Sequence, residues 1–385
     1  MTQTLAYPSY SKRRPVIVCQ GDSLTDPVGL QPGYTRWTEE LRRRLEAGGK
    51  SAVVRNIAQT GARTDDGGVT GGSGKQMLNR FAPFGVDVLR PTIPDIAILW
   101  GGANDVRSVS ALSQSAGVAS ATVASHGWAT GMLADVYGAT PSGYNVSGVS
   151  LTSANANTLT FAVDSGLSTP AGGSPVIRLQ TRRNLRAMVK WLKFGCRGCY
   201  RSQADLPAGG ANGDRYVVLN DTSSTGGQAA LTGQAATISG AATAGDPTVW
   251  EYRNGRTGEL GWGRIAVAGT PYDAARGCNR IVIMGQHYLN WSSGGDALAS
   301  PYALWDASTG IRAEQSAAAA AEGVVYGDLY AYLRQRIVDG KDVQGDYAWH
   351  YANSDVHFSQ YGASLVADYL MGLIAVQDGW LGALA

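Results

Sequence analysis

The sequence predicts an α/β protein with a parallel sheet, interrupted by two β-rich insertions, and three observations carry that expectation. Short apolar runs of strand length lie at residues 15–20, 52–57, 95–100 and 280–285. Segments with apolar residues at helical spacing alternate with them, which is the pattern of βαβ units. Between residues 108 and 275 the alternation stops, and strand and turn chemistry takes over around one strongly basic stretch.

In chain order, Val16, Ile17, Val18 and Cys19 form a run that stops at Gly21, as a buried strand does when it enters a turn. Trp37, Leu41 and Leu45 then recur at i, i+4 and i+8, with Gly48 and Gly49 beyond them, so residues 34–47 read as a helix with a C-terminal stop. Residues 52–57 read as a second strand, residues 81–89 as a helical or mixed stretch, and residues 95–100 as a third strand. A fourth strand follows at residues 280–285. Residues 313–338 read as one long Ala-rich helix and residues 362–376 as a closing amphipathic helix. The α/β core therefore comprises residues 13–107 and 276–385.

Residues 108–180 hold only three charged side chains, Asp135, Asp164 and Arg178, in 73 positions. Within them, residues 144–163 alternate small polar and apolar types around Asn155, Ala156 and Asn157, as a hairpin would. Residues 181–201 are the reverse, with seven Lys or Arg and no acid in 21 positions. Arg182, Arg186, Lys190, Lys193 and Arg197 share one helical face, and Leu185, Met188, Val189 and Leu192 share the other. That is a basic amphipathic helix whose charged face is expected in solvent, with an anionic glycan or a partner subunit as the alternative. Residues 202–275 return to β chemistry, with strands expected at 215–219, 248–252 and 261–265 and a Gly/Ala/Thr-rich loop at 222–245.

Hydrophobic residues at 44% sustain a buried core and exclude a disordered chain. Charged residues are 16%, against roughly 25% in ordinary domains, and the net charge of +2 is too balanced for a dedicated nucleic-acid binder. Four cysteines in 385 residues make no disulfide framework. Cys19 reads as a core residue. Cys196 and Cys199 form a C-x-x-C without the second pair that a zinc site needs, since Cys278 stands alone. Residues 1–14 are polar, without the apolar stretch of a secretory signal, and no run of 18 uncharged apolar residues occurs. Synthesis in the cytoplasm without membrane insertion is the expectation.

Four short elements fall at strand ends. Gly21, Asp22, Ser23 and Leu24 follow the first strand, at the edge where open α/β sheets place their sites. Asn56, Ala58 and Gly61 straddle the end of the second strand, and Gly102, Asn104 and Asp105 follow the third. Asp355 and His357 precede the last helix, with Gly362 five residues after the histidine. These blocks, G-D-S-L, N-x-A-x-x-G, G-x-N-D and H-x-x-x-x-G in that order, resemble those of SGNH/GDSL hydrolases over about 200 of the 385 residues. The resemblance implies a three-layer α/β/α sandwich with a five-stranded parallel sheet, flavodoxin-like, and ester hydrolysis with no metal or other cofactor.

The chemistry explains the residue types. A serine hydroxyl is a weak nucleophile until an imidazole takes its proton, so Ser23 pairs with His357. The tetrahedral intermediate carries a full negative charge, which the Ser23 N–H, the Gly61 N–H and the Asn104 side-chain amide would meet as an oxyanion hole. Glycine at 61 lets the backbone approach closely. Asp22 and Asp105 read as residues that fix their loops by hydrogen bonds. His126, His287 and His350 read as structural or groove-lining. The family's acid stands three residues before its histidine, but Ser354 occupies that position here and the carboxylate is Asp355, two before. Three readings stay open: Asp355 reaches the imidazole through a shorter loop, another group orients His357, or the site is degenerate.

The insertions resemble small β modules of bacteriophage tail proteins, on residues 143–171 and on Asp205, Leu206, Pro207, Gly213, Asp214, Tyr216, Trp250, Tyr252, Gly261 and Trp262. The function this implies is a carbohydrate O-deacetylase carried on a virion tail and made in the host cytoplasm. Its partners would be an O-acetylated polysaccharide or other small acyl ester, and other tail subunits or further copies of the chain. Polar residues 26–35 beside Ser23 suit a small acyl group. A bacterial lipase or thioesterase of the same family, and a non-enzymatic tail or adhesion protein with a degenerate core, are the alternatives.

Overall fold

The computed structural model describes residues 14–26, 33–65, 76–78, 93–221, 246–254, 260–265, 277–287, 310–343 and 357–384. Five parallel strands form the central sheet: β1 (Val16–Gly21), β2 (Val53–Asn56), β3 (Ile96–Trp100), β4 (Ile281–Met284) and β5 (Val325–Gly327), in the spatial order β5-β4-β3-β1-β2. The helices are α1 (Trp37–Ala47), α2 (Thr181–Phe194), α3 (Ile311–Glu322), α4 (Leu329–Val338) and α5 (Gln360–Ala375), with a short turn of helix at Trp380–Ala383.

β1, β3 and β4 are buried along their whole length. They read as continuous apolar runs because both faces of a parallel sheet are covered. Along β3 the side chains alternate between two apolar clusters. Ile96, Ile98 and Trp100 join Trp37, Leu41 and Leu45 of α1 and Val366, Leu370 and Ile374 of α5. Ala97 and Leu99 point the other way, to Leu185, Met188 and Leu192 of α2 and Ala318 and Ala319 of α3. Each fully buried Leu or Ile in these clusters contributes about 1.5–3 kcal/mol.

Two expectations need correction. The Ala-rich stretch at 313–338 is not one helix: α3 ends at Glu322, where Gly323 adopts φ +58°, β5 follows, and α4 starts after Asp328, whose side chain accepts from the Ala331 N–H at 3.0 Å. The fifth strand of the sheet lies inside that break. The basic face of residues 181–201 is largely paired with acids rather than left to solvent, with Arg182 half exposed. Glu322 of α3 accepts from Arg186 Nε at 2.7 Å and Lys190 Nζ at 3.1 Å, its carbonyl accepts from Lys193, and Glu314 pairs with Arg178 and Arg182. Glu314 and Glu322, eight residues apart on α3, match the four-residue spacing of the α2 bases. With its apolar face on the sheet, α2 is the sheet's own covering helix rather than a separate element between insertions.

The two β-rich regions are built differently. Between residues 106 and 179, one four-stranded sheet contains Ala111–Ser115, Val118–Thr122, Thr158–Ala162 and Thr152–Asn155. A second contains Val106–Ser108, Gly172–Leu179, Leu133–Thr140 and Val149–Ser150. Leu112, Ala121, Leu159 and Phe161 of the first sheet meet Ala134, Val136, Ile177 and Leu179 of the second in a joint core with Trp128 and Tyr144. The later region forms one four-stranded sheet of Gly198–Tyr200, Arg215–Val218, Thr248–Asn254 and Leu260–Arg264. Its Val217, Leu219, Val249 and Ile265 belong to the cluster that covers the central sheet through α2. Residues 81–89 and 222–245, His350 and Asp355 lie outside the described residues.

Candidate active site

From β1 the chain goes to β2 on one side and then to β3 on the other, so the carboxyl ends of β1 and β3 flank the point where strand order reverses. Open α/β sheets bind their ligands at that point. Ser23 leaves β1 there, Gly61 lies beyond β2, and Asn104 lies in the loop after β3.

The turn at Ser23 is built by its neighbours. Asp22 Oδ1 accepts from the Leu24 N–H at 3.0 Å, and its carbonyl accepts from Thr25 and Asp26. Gly21 is required, because a Cβ would come 2.4 Å from Thr25 Oγ1 and 2.5 Å from the Trp100 carbonyl. Those bonds use the N–H groups of Leu24, Thr25 and Asp26 but not that of Ser23. Beyond β2, the Ala62 N–H is likewise used, while that of Gly61, at φ +72°, is not. Among the described residues neither the Ser23 N–H nor the Gly61 N–H donates a hydrogen bond.

Hydrogen bonds stitch the three loops together. Asn104 Nδ2 donates to the Ala62 carbonyl at 3.0 Å, which ties the β3 loop to the residue after Gly61 and engages one of the two amide hydrogens. Asp105 accepts from the Thr64 N–H at 3.0 Å, the Thr64 hydroxyl and the Thr181 hydroxyl at 2.7 Å. Asn56 Nδ2 donates to the Thr25 carbonyl at 3.0 Å and the Thr60 hydroxyl donates to Asp26, so the β2 loop holds the turn after Ser23. Asp22 and Asp105 do fix their loops. Thr64 and Thr181 were not found from sequence, since nothing local marks a threonine that answers a carboxylate 41 or 76 residues away.

Asp22 is fully buried. Burial pushes its carboxyl up to about 7, the neighbouring Asp105 adds to this, and the N–H groups of Leu24 and Ala103 oppose it. A carboxyl beside Ser23 is thus held largely neutral below pH 7.

His357 comes to the same edge through its neighbours. Phe358 is buried with its ring 5.7 Å from that of Trp100, and Trp100 stands in register with Gly21. Gln360, at the start of α5, accepts from the Thr35 N–H at 2.7 Å and donates to Glu40 at 3.0 Å. No hydrogen bond joins the Ser23 hydroxyl to His357 among the described residues, and free serine sites commonly hold this pair long. His287 packs 4.6 Å from Phe358 and 6.1 Å from Trp100, which makes it a support of the histidine segment. His126 is structural: its Nδ1 accepts from the Trp128 N–H, and its Nε2 donates to the Asn155 carbonyl at 2.8 Å.

Burial pushes the Cys196 thiol far above its ordinary range and the Cys278 thiol up to about 12, against the thiolate that metal binding needs. Among the described residues no cluster of three His, Cys, Asp or Glu is placed to hold a metal ion, and no helix is long and apolar enough to cross a membrane.

A strand-edge serine beside unspent backbone donors is the arrangement that acyl transfer chemistry uses. Residues 17–159 match the family model of GDSL-like Lipase/Acylhydrolase, and that span contains Ser23, Gly61 and Asn104. The match supports the GDSL/SGNH family and, with it, ester hydrolysis. No curated protein matches the chain. Among solved structures, a lipase/acylhydrolase from Enterococcus faecalis is 12% identical, with 94% of this chain and 95% of that one covered and a TM-score of 0.36. A Parabacteroides merdae protein described as a GDSL-like lipase is 11% identical, with 94% and 97% covered and a TM-score of 0.38. At those scores neither adds to what the site's own residues say.

Proposed function

We propose that the chain is a serine esterase that removes short acyl groups, acetyl foremost, from a polysaccharide. Ser23 Oγ attacks the acyl carbonyl while His357 takes its proton, and the oxyanion is met by the N–H groups of Ser23 and Gly61 and the second amide hydrogen of Asn104. The imidazolium then returns the proton to the departing sugar oxygen, and water releases acetate from the acyl-serine by the reverse roles. Asp355 is the proposed orienter of His357. The carrying observation is the pair of unspent N–H groups at Ser23 and Gly61, in loops where neighbouring N–H groups are bonded. The polar Thr35, Glu40 and Gln360 cluster after Ser23 favours a short acyl group over a long chain. The two β-rich regions, with their sequence resemblance to tail modules, support placement on a virion tail.

The test is incubation with O-acetylated polysaccharides, measuring released acetate and polymer length. Acetate release at unchanged length is expected, with acetate esters turned over much faster than octanoate. Oligosaccharide release that persists in Ser23→Ala would point to glycosidase chemistry, and octanoate turnover equal to acetate would point to a lipase.

A further inference from the structure

A second concavity lies where the two β-rich regions and the core meet, away from Ser23 but built on the same scaffold. It encloses about 220 Å³ and takes one wall from the first β region, including Ser150, one from Arg183 in the first turn of α2, and one from Arg201, Ser202 and Asn220 of the second. Drug-sized ligands need roughly 300–1,000 Å³, so the occupant is about one monosaccharide in size.

The lining is cationic in balance, with two bases against one acid. Its charged groups are Arg183, Arg201 and Asp205. Asp205 is engaged by the N–H and hydroxyl of Ser202, both at 2.9 Å, in a capping box. Arg201 is anchored by a bond to the Gly131 carbonyl at 3.0 Å, and Arg183 is buried, so two guanidinium groups are held at one small cleft before any ligand arrives. Planar forks of N–H donors recognise carboxylates in a bidentate manner. Leu133 and Leu219 supply an apolar patch for the C–H face of a ring. The cleft is also joined to the catalytic edge: Arg183 lies between Thr181, which donates to Asp105, and Asn184, which donates to Thr64 at 3.3 Å.

We infer that this cleft binds one carboxylate-bearing sugar residue, a hexuronate, of an acidic polysaccharide whose ester-bearing residue reaches Ser23. The inference rests on the esterase reading for its substrate but not for its ligand chemistry. The test titrates the full chain with D-glucuronate, D-glucose and inorganic phosphate, following binding by calorimetry or ligand NMR, and separately measures hydrolysis of p-nitrophenyl acetate. Glucuronate should bind with a millimolar Kd and glucose should not. Arg201→Gln should weaken glucuronate at least tenfold while leaving p-nitrophenyl acetate turnover unchanged, and Asn220→Ala should weaken it less in the same direction. Equal binding of glucose, binding of phosphate alone, or undiminished glucuronate binding in both variants overturns the cleft assignment while the esterase reading stands. Glucuronate binding without any ester hydrolysis would overturn the esterase reading and leave the cleft.

Discussion

The two β-rich regions interrupt the same α/β core but relate to it in opposite ways. The first closes its two sheets on a core of its own, and it leaves and re-enters the chain through residues that touch, since the Val109 N–H donates to the Pro175 carbonyl at 2.9 Å. The second has one sheet, one face of which is continuous with the cluster under α2, while Val218, Trp250, Tyr252 and Trp262 form a smaller cluster apart from it. Its Arg215 pairs with Glu251 at 2.7 Å and reaches the Phe194 carbonyl at the end of α2. An inserted segment with its own core is an added unit, whereas one that shares a core is part of the enzyme's stability.

The largest effect should come from Arg215→Met. It takes the buried guanidinium partner from the Glu251 carboxylate and removes the tie to α2, so stability should fall by about 3–5 kcal/mol and esterase activity should be lost at growth temperature. Calorimetry and ester turnover check this, and a normal melting temperature with full activity would separate the second region from the core after all.

A pH effect of similar size belongs to the core alone. The Asp22 carboxyl titrates near 7 in the folded chain against an ordinary 3.8, so the folded state binds more protons between those values. Stability contributed at low pH is lost as pH rises from about 4 through 7 and is fully lost above it, by at most about 4 kcal/mol. Asp22→Asn keeps an acceptor for the Leu24 N–H and should flatten that slope, read as melting temperature against pH. The transition of the first β region should not change.

The smallest effect on turnover should come from cutting into the first region. Phe161→Ala should lower that region's own transition by about 3–5 kcal/mol while leaving p-nitrophenyl acetate turnover within about twofold. Replacing residues 110–174 by an Asn-Gly turn, which suits a two-residue hairpin between Val106–Ser108 and the paired end of Gly172–Leu179, should leave that turnover equally unchanged. Loss of all turnover in a folded deletion variant would break the contrast.

How far the molecule was legible from sequence follows the same physics. β1, β3 and β4 declared themselves because burial on both faces demands unbroken apolar runs. β5 did not, being three residues inside an Ala-rich stretch, although Gly323 and the capping Asp328 were the available signals. The basic face of α2 misled because its acids, Glu314 and Glu322, lie more than a hundred residues downstream. The positions of Ser23, Gly61, Asn104 and His357 at strand and helix ends were legible because each follows or precedes an element that periodicity reveals, while their catalytic roles belong to the proposal. Thr64 and Thr181 were not, since their roles exist only once the loops are folded against one another, whereas His287, read as structural or groove-lining, packs as a support.

The central claim, that the edge of β1, β2 and β3 is a serine acyl-transfer site, is tested most directly by treating the full chain with an activated alkyl phosphonate ester and locating the adduct by peptide mass spectrometry. One phosphonyl group on Ser23 is expected, formed in step with loss of p-nitrophenyl acetate turnover and absent in a folded Ser23→Ala variant. Full inactivation with the label on another residue, or ester turnover that survives complete labelling of Ser23, would contradict it.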